Sequence, residues 1–170
     1  MLPDNDIYYK MIKKVYGNRC AKRSGVPLIN HINEGMIILE AIGADTISKQ
    51  AFCLHPIVQN DIDLLSNIDM FSVDVNFYVA ILAMEYRDVA NEYLSQHYVN
   101  THDAIRLSSI EHVNHMLIAD KVQNRKDFEL YHKGKHLKSD ILDSYFKNWL
   151  RVLNISEDKY LKLCETISRG

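Results

Sequence analysis

Residues 51 to 60 read Ala51-Phe52-Cys53-Leu54-His55-Pro56-Ile57-Val58-Gln59-Asn60. A helix-compatible apolar run leads into a histidine and meets a proline. Pro56 has no backbone N–H, and its ring disfavours α geometry at His55. A proline inside a helix costs about 3 kcal/mol. The stretch therefore predicts a helix that ends near Leu54, with a kink or a fresh start at Pro56. It leaves open whether that break turns His55 out of the interior.

Outward from this stretch the spacing stays helical. Upstream, Asp45 or Thr46 can cap the helix that reaches Leu54. Before it, Leu28 to Ile42 places Leu28, Ile32, Met36 and Leu39 on one face, and Gly43 suits the position after the last turn. Residues Asn18 to Pro27 are basic, small and turn-forming, which predicts a loop. Ile7 to Tyr16 reads as a first helix ending at Gly17. Downstream, helical stretches are expected over Val73 to His97 and over about Ala104 to Glu129, the second interrupted or not. Gly134 marks a turn. Asp140 to Leu153 and Glu157 to Ser168 close the chain, the last capped by Ser156. Six glycines and three prolines are few breakers for 170 residues, and no run alternates like a strand. The expected class is all-α, a compact single domain spanning 1–170.

Composition restricts the partners. With 47% hydrophobic and 25% charged residues and a formal net charge of −2, the chain has no global positive field to recruit nucleic acid or acidic membranes. No window approaches the ~18 apolar residues of a membrane span, and the first residues lack the pattern of a secretory signal. Cys20, Cys53 and Cys164 are far apart and make no zinc pattern. The reading is a soluble, cytoplasmic protein with reduced thiols, and a homo-oligomer stays open.

Chemistry concentrates in three stretches. Besides residues 51–60 these are Lys22-Arg23-Ser24-Gly25-Val26-Pro27-Leu28-Ile29-Asn30-His31 and Leu117-Ile118-Ala119-Asp120-Lys121-Val122-Gln123-Asn124. Asp120 shares a face with Val113, Met116 and Leu117, and Asn124 follows one turn on. An inward carboxylate must be paired, hydrogen-bonded or ligated. With His31 and His55 it could bind a divalent transition metal, although a lone helical histidine is more often an ordinary core residue. Lys22 and Arg23 read either as a phosphate-binding loop or as a solvated one. Arg87 reads as a ligand contact or as a surface residue, and Lys121 and Arg125 can add positive charge. The stripe Ile141, Leu142, Tyr145, Phe146, Trp149, Leu150 and Leu153 reads as core or partner contact. His132 and His136 read as a solvated turn.

Taken in order, the three stretches resemble the HD-domain family, and within it the (p)ppGpp-hydrolase branch: the hydrolase halves of RelA/SpoT-type enzymes and their small stand-alone relatives, some of them in phage genomes. The resemblance covers roughly residues 18–128. It implies an HD-type helical bundle in which His31, His55 and Asp120 match metal ligands. Asn124 matches an asparagine beside the family's hydrolytic centre, and Lys22, Arg23 and Ser24 match the loop that packs on the guanine base and its phosphates. Pro56 falls where the family has the metal-binding aspartate. Gln59 and Asn60 stand for its Glu-Asp pair. These three replacements remove acids that hold the metal or move a proton. The resemblance thus implies a catalytically impaired domain that binds and sequesters a phosphorylated signalling nucleotide without a cofactor. Its contacts would be Lys22, Arg23, Ser24, Asn30, His31, His55, Gln59, Asn60, Arg87, Asp120, Lys121 and Asn124. Two rivals stand beside it. One is a working Mn²⁺-dependent (p)ppGpp pyrophosphohydrolase using His31, His55 and Asp120. The other is a helical interaction module with a relic pocket.

Overall fold

In the computed structural model, which describes residues 5–22, 24–67, 69, 75–95, 104–135 and 137–169, the Asp6 carboxylate accepts the Tyr8 and Tyr9 amides and opens α1 (Ile7–Tyr16). The loop that follows is pinned by main-chain bonds from Ala21 to Val26 and from Leu28 to Arg19, at 2.8 and 2.9 Å. It leads into α2 (Ile29–Ala41). The Asp45 carboxylate accepts the Ser48 amide and starts α3 (Thr46–Leu54). A 3₁₀ turn over His55–Ile57 carries the proline. Then come α4 (Asp61–Ser66), α5 (Phe77–Ser95) and α6 (Glu111–Asp127), which runs into a π turn over Phe128–His132. Helices α7 (Ser139–Val152) and α8 (Glu157–Arg169) end the chain. Among the described residues there is no strand, and the fold is an all-α bundle.

Helix α6 is the axis of the packing and touches α2, α3, α5, α7 and α8. Its buried residues run almost all round it, from Val113, Met116 and Leu117 to Asp120, Lys121, Gln123 and Arg125. A helix enclosed on every side must satisfy its polar residues internally. Arg125 does so at the far end. It donates to Glu129 and, through both terminal nitrogens, to Glu157, while its guanidinium lies 3.9 Å over the Tyr160 ring. It ties α6 to α8 and does not add charge to the cavity described below.

The main chain decides one open question and changes several local expectations. His55 is helical, with φ −55° and ψ −37°, and stays buried, because the strain before a proline is absorbed by tightening one turn to 3₁₀ geometry. Helix α6 begins at Glu111, not near Ala104. The Ser108 hydroxyl takes the Ile110 amide, and the Asn114 side chain bonds both main-chain groups of Ser108, so local side-chain bonds displace helical ones. Helix α5 begins at Phe77, where Asn76 accepts the Tyr78 amide; residues 73–74 and 96–97 lie outside the described residues. Helix α4 escaped notice, although Asn60 caps it by accepting the Asp63 amide. In α7, Tyr145, Phe146, Trp149 and Leu150 are core, and Leu153 just after it is too, whereas Ile141 is exposed. His136 also lies outside the described residues. Among the described residues no helix is long and apolar enough to cross a membrane.

Helices α2 and α3 meet at Gly35, where an added Cβ would overlap the Phe52 ring. Gly35→Ala is expected to lower unfolding stability by about 1–3 kcal/mol through overpacking, measured by urea denaturation. Phe52→Leu in the same chain should restore part of that loss. An unchanged midpoint for Gly35→Ala would mean that the contact is slack.

Candidate functional site

A cavity of about 500 Å³ opens where the α1–α2 loop, α2, the proline turn, α5 and α6 come together. Its floor is built by three segments distant in sequence. His31 comes from the first turns of α2, His55 from the 3₁₀ turn, and Asp120 from the middle of α6.

Asp120 is fully engaged. Its Oδ2 meets the Lys121 ammonium at 2.7 Å. Its Oδ1 accepts from Asn124 at 2.8 Å and lies 3.6 Å from His31 Nε2. Burial alone would raise the carboxyl pKa, but the Lys121 ammonium and the His31 imidazole outweigh it and hold it at about 2. Burial works against the Lys121 charge too, and the Asp120 carboxylate more than offsets it, so Lys121 stays protonated. Its ammonium also sits 5.0 Å from the Trp149 ring centre and 5.7 Å from that of Tyr145.

The two imidazoles are oriented from behind. Gln123 donates to the carboxylates of Glu34 and Asp127 at 3.0 and 2.8 Å. Its amide oxygen is thereby turned to His31, whose Nδ1 donates to it at 2.7 Å. His55 Nδ1 donates to the Phe52 carbonyl at 2.6 Å. Each Nδ1 thus carries a proton; the buried, neutral His55 turns its Nε2 lone pair to the floor, and the Nε2 atom of His31 faces it at 3.3 Å. Burial, followed by the neighbouring His31, pushes the His55 pKa down to about 3 against the pull of Asp120.

The His31 Nε2 atom, the His55 lone pair and the Asp120 oxygen face one another and need a shared proton or a cation between them. These ligand atoms all fall within 4.8 Å of one another. Imidazole nitrogens bound at about 2.0–2.1 Å to a tetrahedral ion stand about 3.3 Å apart. Acceptors behind each histidine, fixing its tautomer, are what metal-ligating histidines ordinarily have. The donor set fits a divalent cation.

Of the other residues expected at the site, Ser24, Gln59, Lys121 and Asn124 line the cavity, and Pro56 borders it. Lys22 is exposed and Asn30 does not line it. Asn60 bonds Asp63 instead, and Arg87 pairs with Asp61. Arg23 lies outside the described residues. Sequence reasoning missed Arg19, Asp63, Gln123 and Asp127, all in the cavity wall. Gln123 carried a readable signal, because it lies one turn from Asp120 on a helix already singled out. No family model, no curated protein and no solved structure matches this chain.

A neutral buried His55 gives the cation-free protein a defined acid sensitivity. The unfolded chain takes up this proton below about pH 6.5, the folded chain only near pH 3. Stability from this group is thus complete above pH 6.5 and is lost as the pH falls towards 3. Between pH 7 and pH 5 the wild type should lose about 2 kcal/mol more than a His55→Gln variant, measured by urea unfolding. Parallel pH profiles for the two proteins would contradict this.

Proposed function

We propose that the cavity holds the phosphate end of a nucleotide against a divalent cation kept by His31, His55 and Asp120, and does so without efficient turnover. The observation that carries this reading is the convergence of the two Nε2 atoms and the Asp120 oxygen on the cavity floor. Three protein ligands leave coordination positions open to phosphate oxygens. When bound, such an ion supplies positive charge to those oxygens and acidity to a coordinated water.

The chain's own residues favour holding over hydrolysis. Pro56 offers no ligand atom, Gln59 borders the cavity as a neutral amide, and Asn60 is spent on capping α4. Asp120 is already balanced by Lys121. The volume lies in the range of small-molecule pockets. Tyr16, Val26 and Pro27 give the wall an apolar side for a base, while Arg19, Asn67, Asn91 and Asn124 give it donors for phosphate or base edges. The order and spacing of the three segments support a divergent HD-type domain of the (p)ppGpp-hydrolase branch, and a guanosine polyphosphate as the ligand class. A working pyrophosphohydrolase is the second reading. Asp63 and Asp127 favour it, since they place two carboxylates in the cavity wall where a proton could be taken up.

The test is thermal unfolding of the purified protein with a panel of guanosine and adenosine polyphosphates, with and without Mn²⁺, followed by denaturation and mass spectrometry of the released nucleotide. A Mn²⁺-dependent stabilisation near 2.7 kcal/mol is expected at about a hundredfold excess over Kd, with the nucleotide recovered intact. A His31→Ala variant should lose the Mn²⁺-dependent part. Mn²⁺-dependent product would establish the hydrolase instead. No stabilisation by any nucleotide would leave a helical interaction module.

A further inference from the structure

We infer that Pro56 is a positioning residue that sets the tautomer of His55. The inference deepens the cation-site reading above and rests on it for its consequence, but its geometry stands alone. In a continuous helix the amide of residue 56 would donate to the carbonyl of residue 52. Pro56 has no such proton, so the Phe52 carbonyl loses its helical donor inside the core, where an unpaired acceptor is costly. The His55 amide cannot take its place, because it already donates to Ala51. The imidazole does: His55 Nδ1 donates to the Phe52 oxygen at 2.6 Å. The ring is also wedged between aromatic neighbours, with Phe52 and Tyr86 each 4.7 Å away between centroids.

The proline thereby converts a main-chain acceptor into a fixed partner for one ring nitrogen. The proton stays on Nδ1, and Nε2 is left as the lone pair that faces His31 Nε2 at 3.3 Å. In metal sites a carbonyl behind the imidazole performs this orienting task, and losing it costs about 10–100-fold in affinity. A residue at position 56 with an N–H would offer the carbonyl a competing donor and free Nδ1 to exchange its proton with Nε2. Pro56 contributes no ligand atom itself and acts through His55.

The experiment uses the full chain with ¹⁵N-labelled histidine. Long-range ¹H–¹⁵N spectra of the cation-free wild type are expected to show His55 wholly as the Nδ1–H tautomer. In Pro56→Ala, which returns the donor, the Nε2–H tautomer should grow to a comparable population. Co²⁺ titration, followed by its visible absorption, should show at least a tenfold weaker affinity for the variant. A wild-type His55 protonated on Nε2 overturns the inference and requires no variant to fold. A variant that keeps a pure Nδ1–H tautomer overturns it whatever the affinity does. A tautomer shift without cation binding by either protein upholds the positioning role and defeats the cation-site reading.

Discussion

The buried carboxylate of Asp120 is the constraint around which the rest is arranged. A largely buried charge in the middle of α6 has to be compensated there. Lys121 compensates from the same helix and rests its ammonium on the aromatic rings of α7. Asn124 and His31 occupy the other oxygen. These demands bring α2, α6 and α7 to one point, and the proline turn adds His55. The cavity floor is therefore a product of how the core accommodates a charge, and the α1–α2 loop supplies part of its wall.

That dependence explains which parts of the sequence were legible. Helix ends written in a few adjacent residues were readable, as with Asp45 before α3 and Ser156 before α8, whose hydroxyl takes the Lys159 amide. The apolar stripe of α7 announced the core because it repeats at helical spacing. What stayed hidden depended on partners far away in the chain. Gln123 looks like any surface amide until Glu34 and Asp127 fix its direction and aim its oxygen at His31. Arg125 looked available for a ligand until α8 folded over it. Periodicity tells which face a residue occupies and says nothing of what waits opposite.

The proline shows a subtler limit. Read along the sequence, Pro56 is a subtraction: one main-chain donor fewer and one helix broken. The broken helix, however, releases a carbonyl, and the released carbonyl orders the histidine beside it. A lost main-chain donor and an oriented imidazole come from the same residue, and only the placed main chain separates them.

The close approach of Gly35 and Phe52 carries a consequence beyond packing. His31 sits one turn before Gly35 on α2, and His55 follows Phe52 by one turn on the other side. The contact between the bare Gly35 backbone and the Phe52 ring therefore works as a gauge block: it sets the separation of the two helices and, through them, the gap between the imidazoles. Substitutions that thicken or thin this layer would be read out at the site as a wider or narrower span between His31 and His55. In a family of such chains, drift in the core and drift in the His31–His55 spacing would travel together, with no residue of the site itself having changed.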